Sequence, residues 1–379
     1  MKNVSDIKDC FGCGVCAIVC PKKIIDIKLN KEGFYAPVVD GQNCIECGQC
    51  VAVCSYSSGT IAHQSSIKGL YSAYSLSAEN RKSSTSGGIV YEIALSMIKK
   101  GYEFCGVRYN IEKHRAEHYT THSESEIKAS QKSKYLQSYT IDGFSQLDFH
   151  GKNVVVGTPC QIDSIRRLIK KRKSEDNFVL IDFFCHGVPS YNLWRSYLKH
   201  TQLYDIKNVQ FRSKEDGWQE STYIIIISKL RIWKSKMING DLFYKFFLGN
   251  RCLNKPCYDD CKFKTINSSA DIRVGDMWGK KYCTNQEGIS AVITFTEKGE
   301  NIVRSLSNCS IRDESINDVL GIQMRKNAQR PLSYKFVINS LKKNKPLTFI
   351  NFIASLIELP NKSRKKFIYI TKRLKQLFC

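Results

Sequence analysis

The chain opens with one cysteine phrase written twice. Cys10, Cys13, Cys16 and Cys20 read C-x2-C-x2-C-x3-C and run into Pro21, and Cys44, Cys47, Cys50 and Cys54 repeat the spacing 34 residues later. A cubane needs four thiolates converging on one small inorganic core. Three come from a tight loop, where two-residue gaps turn backbone amides toward the cluster sulfurs. The fourth cysteine leads away and, in this spacing, ligates the other cluster. The pattern predicts two 4Fe-4S clusters, one held by Cys10, Cys13, Cys16 and Cys54, the other by Cys44, Cys47, Cys50 and Cys20. Gly12, Gly14 and Gly48 fall where the backbone must bend closely around the core. Ser55 stands where the first phrase has Pro21, so the second exit turn is less rigidly fixed, although no ligand is lost. Zinc sites usually show two paired CxxC knuckles, not three evenly spaced cysteines plus one.

Eight thiols in two matched sets are the signature of a bacterial ferredoxin-type 2x4Fe-4S module, an α+β unit spanning residues 1–62. Between the phrases, residues 25–29 and 34–39 read as a hairpin around Glu32-Gly33. At 379 residues the chain has room for two or three domains. Seventeen cysteines would suit a secreted disulfide scaffold, but the opening residues MKNVSDIKDC lack a signal peptide's apolar stretch. A reducing cytoplasm is the expectation, with thiols serving metals. No run approaches the length of a membrane span.

The formal charge is +23, and its placement matters more than its size. Residues 1–60 balance six lysines against six acids, whereas residues 331–379 carry eleven Lys or Arg against Glu358 alone. Such a balance favours acidic partners: an acidic ferredoxin, phosphorylated substrates, anionic lipid or nucleic acid. A solvated basic face explains it equally well. Residues 55–67 are polar and Ser-rich and read as a linker. Beyond them, strands over 71–76, 104–108, 154–156 and 179–184 alternate with helices over 89–99, 158–171 and 191–199. That alternation predicts a larger α/β domain over residues 68–330. Residues 223–228 and 291–296 add strands, and residues 331–379 form a basic helical tail interrupted by Pro346 and Pro360.

Several motifs punctuate the α/β domain. Ser83-Ser84-Thr85-Ser86-Gly87-Gly88 lies between a strand and a helix, where a phosphate or a simple N-cap fits. Gly157-Thr158-Pro159-Cys160-Gln161 and Cys185-His186-Gly187-Val188-Pro189 each follow an apolar strand, so Cys160 and Cys185 should meet at one sheet edge. Taken singly, each cysteine could equally be an inert buried thiol. Phe211-Arg212-Ser213-Lys214 runs to Gly217-Trp218 as a basic–aromatic turn. Cys252, Cys257 and Cys261 precede Ala270-Asp271-Ile272-Arg273-Val274-Gly275-Asp276-Met277-Trp278-Gly279, a block in a loop-prone setting.

In this order the motifs resemble the coenzyme F420 hydrogenase/dehydrogenase beta-subunit family. The nearer likeness is to its bacterial branch with a fused N-terminal double-cluster ferredoxin, often found in surface-polysaccharide gene sets. The resemblance covers roughly residues 1–310. It implies FAD in the α/β domain and a third 4Fe-4S cluster beside it. By position, Cys160, Cys185, Cys257 and Cys261 would hold that cluster, and Ser86, Gly87 and Gly88 would lie near the flavin phosphates. The three-residue gap between Cys257 and Cys261 departs from the usual two, which makes Cys252 an alternative ligand. Cys105, Cys283, Cys309 and Cys379 have no partner pattern.

The reading that follows is an iron–sulfur flavoprotein oxidoreductase. Electrons from a reduced carrier protein, or a deazaflavin or nicotinamide donor, would reach an organic substrate, with a glycan precursor in surface polysaccharide biosynthesis as the candidate. His186 is the proton-donor candidate because its charge changes near neutral pH; a histidine orienting the turn is the plainer reading. Asp271 and Asp276 would shape the flavin or substrate loop. The alternative function is an electron-transfer subunit serving a partner enzyme. Nucleic-acid binding is disfavoured by the neutral ferredoxin part and the absence of a helix-turn-helix or RNA-binding signature. In the tail, Phe349, Ile350, Ile353, Leu356 and Ile357 recur at helical spacing, a stripe that suits either a membrane surface or core packing.

Overall fold

The structure is a computed structural model that describes residues 2–360 apart from 64, 65, 222 and 322. Residues 361–379, with Cys379 and the end of the basic tail, lie outside the described residues. The N-terminal module contains the expected hairpin, β1 (Ile25–Leu29) antiparallel to β2 (Tyr35–Val39), with Ile25 opposite Val39. Next come β3 (Gly69–Ser75), β4 (Glu103–Asn110), β5 (Arg115–Thr121), β6 (Asn153–Gly157) and β7 (Phe178–Phe183). Then follow β8 (Ile206–Gln210), β9 (Tyr223–Ser228), β10 (Ile232–Lys236), β11 (Ile272–Asp276), β12 (Ser290–Thr294) and β13 (Cys309–Asp313).

Eight of these strands make one mixed sheet in the order β13-β3-β12-β11-β7-β6-β4-β5. Its centre, β4, β6, β7 and β11, is parallel, and antiparallel pairs close both flanks. The central strands are apolar on both faces: Val154, Val155 and every residue from Phe178 to Ile181 are buried, as a sheet covered on both sides requires. Parallel neighbours end at the same edge, so the turns after β6 and β7 carry Cys160 and Cys185 side by side. The helix Pro159–Lys171 starts there with Thr158 and Gln161 in a capping box and Pro159 in its first turn.

Several elements differ from the sequence reading. The block 270–279 is not a loop, because Ile272–Asp276 forms a central strand of the sheet. Arg273 disguises it, yet that guanidinium is fully buried in a two-pronged ion pair with Asp182, at 2.7 Å on both arms. β5 escapes detection for a similar reason. Its Glu117 is buried and satisfied by Arg108 and Arg115, and its His118 is buried against Phe144. β8, β10, β13 and the short helix Ala78–Ser83 carry no clear sequence signal either.

The packing shows no seam at residue 62. Cys16, Ile25 and Phe34 share one core with Trp194, Phe211, Tyr334 and Ile350. The described part of the tail forms helices Tyr334–Lys342 and Leu347–Glu358, with Pro346 capping the second. Its apolar stripe splits: Ile350 is buried with Leu347 and Ala354, while Phe349 is 44% exposed. Glu358, the tail's acid, is paired with Arg251 and takes a bond from Ser333. Among the described residues no helix is long and apolar enough to cross a membrane.

Candidate cluster sites and cofactor cavity

The folded chain groups the cysteines of the repeat across its two phrases. Cys10, Cys13 and Cys16 each feel the charge of Cys54, the last cysteine of the other phrase. Cys20, Cys44, Cys47 and Cys50 together line a small cavity with Ile24, Ile25 and Val39. Burial pushes the Cys10 thiol up to about 12 and Cys13 to about 11, with neighbouring cysteines adding to it. Amides oppose that rise: the Gly12 N–H lies 3.3 Å from Cys10 Sγ. These donors suit sulfur that carries charge when metal-bound. The donor sets are all thiol, the soft ligands iron–sulfur clusters take. Among the described residues no group of three or more His, Cys, Asp or Glu side chains is drawn together closely enough to hold a metal ion as placed.

The inner loop of this module is seated on the larger domain. Gln137 Nε2 donates to Phe11 O at 3.0 Å, Thr140 Oγ1 to Cys13 O at 2.9 Å, and Asn254 Nδ2 to Cys10 O at 2.9 Å. Lys262 Nζ ties down residues 55–60 by donating to the carbonyls of Ser55, Ser58 and Thr60.

A second cysteine group lies at the sheet edge. The Cys160 thiol is pushed well up by burial, against a bond with Thr158, and it feels Cys185, Cys13 and Cys257. Burial and then Cys185 push Cys257 up to about 12, with Cys261 adding to it. Burial also lifts Cys185 to about 11, against Lys264, whose ammonium donates to the Cys185 carbonyl at 3.0 Å. The unusual gap is taken up by the helix Lys255–Asp259, which holds Cys257. Cys261 lies two residues past the helix end, and its charge is felt by both Cys257 and Cys185. Cys252 is buried in the core beside Tyr258 and Arg251. Gly187 passes so close that a β-carbon there would lie 3.6 Å from Cys257 Sγ.

Cys185, His186, Gly187 and Val188 also form one wall of a cavity of about 1300 Å³. It opens at the carboxyl ends of β6, β7 and β11, where open α/β sheets bind ligands. Ser84, Thr85, Ser86 and Gly88 line it together with the start of the helix Ile89–Ile98. Gly87 backs this wall: its N–H is committed to Ser290 Oγ at 3.0 Å, and Ser86 Oγ donates to the Ile289 carbonyl. Lys132, Lys264, Arg325 and Lys326 line it as cations, while Arg212 is paired with the lining's one carboxylate, Asp276, and burial brings Lys134 down to about 7. Such a wall suits an anionic group. Asn250 in the lining reaches the His186 ring, while the buried Asn327 Oδ1 has no hydrogen-bond partner among the described residues. A mostly apolar cavity of this size with cationic side chains in its wall has the mixed character that a ligand with a flat ring system and an anionic end requires.

The remaining motifs interlock around that cavity. Arg212 pairs with Asp276 at 2.6 Å, and the Trp218 indole donates to the same carboxylate at 3.2 Å. Trp218 stacks on Trp278 at 4.5 Å, nearly parallel. Lys214 Nζ donates to the carbonyls of Arg81, Ser86 and Glu287 and so straps the Ser-Gly segment in place. Asp271 does not reach the cavity. It is buried with Arg166 at 3.0 Å and accepts from the Leu180 amide, which makes it structural. His186 lines the cavity edge-on to Phe247, and burial followed by Lys264 lowers its pKa, so the ring is neutral at neutral pH. Sequence reasoning missed the segments 130–138 and 323–329, which supply Lys132, Lys134, Arg325 and Lys326. Neither carries a spacing that would have marked it.

Fold and thiol groups together define an iron–sulfur electron-transfer protein. Residues 9–58 match the family model for the 4Fe-4S dicluster domain. Residues 151–316 match the model for the C terminus of the coenzyme F420 hydrogenase/dehydrogenase beta subunit. The chain therefore carries a domain of the coenzyme F420 hydrogenase/dehydrogenase beta-subunit family behind a 4Fe-4S dicluster domain. A chain of the F420-reducing NiFe hydrogenase complex from Methanosarcina barkeri is similar in structure, at 15% identity and a TM-score of 0.48. The match covers 66% of this chain and 83% of that one. No curated protein matches.

Proposed function

We propose that this chain is a flavin- and iron–sulfur-dependent oxidoreductase that works from a reduced carrier toward an organic substrate. The observation that carries the reading is the helix Pro159–Lys171. It holds Cys160 in its first turn, where the thiol feels Cys185 of the cavity wall, and its Ser164 lies 3.2 Å from Cys13 Sγ of the N-terminal module. Cys10, Cys13, Cys16 and Cys54 would hold an inner 4Fe-4S cluster, and Cys20, Cys44, Cys47 and Cys50 an outer one. Cys160, Cys185, Cys257 and Cys261 would hold a third at the cavity wall. Ser84, Thr85 and Gly88 would bind and orient a phosphate at the start of the Ile89–Ile98 helix, with Ser86 and Gly87 fixing that wall through their bonds to Ile289 and Ser290. Lys132, Arg325 and Lys326 add positive charge. When bound, a flavin supplies exchange of electron pairs with organic molecules and of single electrons with iron–sulfur clusters. His186, neutral and packed on Phe247, is suited to receive or relay a proton at the cavity wall. A reduced ferredoxin is the donor class that suits a fused double-cluster module, and a glycan precursor is the substrate class the family likeness suggests. Anaerobic purification with an iron count and flavin extraction tests the reading. About twelve irons per chain with bound flavin are expected. About eight irons and no flavin would reduce the chain to a plain electron carrier.

A further inference from the structure

The helix Pro159–Lys171 carries Cys160 in its first turn and Ser164 one turn later. Ser164 is fully buried, and its Oγ lies 3.2 Å from Cys13 Sγ. The same oxygen lies 3.2 Å from the backbone nitrogen of Ser55, the residue after Cys54. One hydroxyl of the α/β domain thus touches the inner thiol group at two points.

The hydrogens around that oxygen can be counted. The Ser55 N–H can only donate, so it occupies one lone pair of Ser164 Oγ. A free Cys13 thiol can donate to the other. A metal-bound thiolate has no proton and can only accept, so the hydroxyl hydrogen of Ser164 is then the one available for the line to sulfur. We propose that Ser164 donates to the Cys13 sulfur in the cluster-bound protein and raises the reduction potential of the inner cluster from the neighbouring domain. A hydrogen bond to a ligating sulfur stabilises the more negative, reduced state, and such bonds help set cluster potentials. The corresponding side-chain contact in the outer half is Asn3 Nδ2, 3.4 Å from Cys44 Sγ, donated from within the module itself. This inference rests on Cys13 being a ligand, as proposed above.

The test is a potentiometric titration of the full chain, purified anaerobically and followed by electron paramagnetic resonance. Ser164→Ala should lower one ferredoxin-type midpoint, leave the other midpoints in place and keep the iron content. Ser164→Thr, which retains the hydroxyl, should restore the midpoint. Full iron with unshifted midpoints in Ser164→Ala overturns the inference. Should Ser164→Ala lose the cluster, Ser164→Cys, a weaker donor of similar size, is titrated in its place. A lowered midpoint then supports the inference, and an unshifted one overturns it. Cys13→Ser separates the two levels: unchanged iron in that variant defeats the ligand reading itself, whatever Ser164 does.

Discussion

The two halves of the cysteine repeat have the same spacing and nearly the same backbone, and they differ in what lies beyond the loop. Gly14 and Gly48 are left-handed at φ +77° and +69°, and Gly12 and Glu46 occupy equivalent places at φ +68° and +51°. Glu46 shows that the turn itself admits a side chain. What demands glycine at position 12 is the wall opposite, since a β-carbon there would meet Gln137 Nε2 at 2.1 Å and the Tyr35 carbonyl at 2.4 Å. The outer half has no such wall: a β-carbon on Gly48 meets nothing within 4 Å, Cys47 is exposed, and Ile45 is 58% exposed. One repeat thus yields an outward-facing thiol group and an inward-facing one, which is the asymmetry an electron relay needs.

The largest effect that would break this contrast is steric. Gly12→Ala forces a methyl against backbone and should cost about 3 kcal/mol. Glu46→Ala, its counterpart, should stay within about 0.5 kcal/mol. Thermal denaturation of the two variants checks this, and equal losses would remove the distinction. Next comes pH. The wall behind Gly14 is Thr140 and Ile141, at the start of the short helix Ile141–Phe144, and His118 packs on the Phe144 ring at 4.6 Å. Burial lowers the His118 pKa to about 4 from 6.5, so the unfolded chain takes up the proton first as pH falls. The stability this histidine contributes is therefore complete above pH 6.5 and is lost as pH falls toward 4. The loss amounts to about 3 kcal/mol at most. His118→Leu should flatten that part of the stability–pH curve; an unaltered curve would assign the acid sensitivity elsewhere.

Thiol reactivity sharpens the contrast further. In cluster-free protein Cys47 is exposed, whereas burial holds the Cys13 thiol up at about 11. Thiolate is the reactive form, and two pKa units mean roughly 100-fold less of it. Iodoacetamide mapping should find Cys47 modified first and Cys13 catching up only as pH rises. Gly48→Ala falls between Gly12→Ala and Glu46→Ala, since only the left-handed backbone is strained. It should cost about 1 kcal/mol.

Much of this was legible in the sequence because its signals were local. Spacing alone proposes the two groups of N-terminal cysteines, and apolar runs locate β6 and β7, whose shared edge carries Cys160 and Cys185. The hidden parts depend on partners distant in sequence. Arg273 reads as polar until Asp182, 91 positions away, neutralises it inside the sheet. Ser164 looks like an ordinary helix residue until the first cysteine loop folds against it. Lys132 and Arg325 belong to segments without periodicity, and only the assembled cavity gives them a common purpose.

The central claim is that electrons enter at the outer thiol group and reach the cavity through the inner one. Stopped-flow mixing of cluster-loaded, flavin-loaded protein with a reduced ferredoxin, read at the flavin absorbance, tests it directly. Wild type should bleach in a fast phase. Cys47→Ser should lose that phase while its flavin still bleaches with dithionite. An unchanged fast phase in Cys47→Ser, with the outer cluster shown to be missing by iron count, would contradict the account.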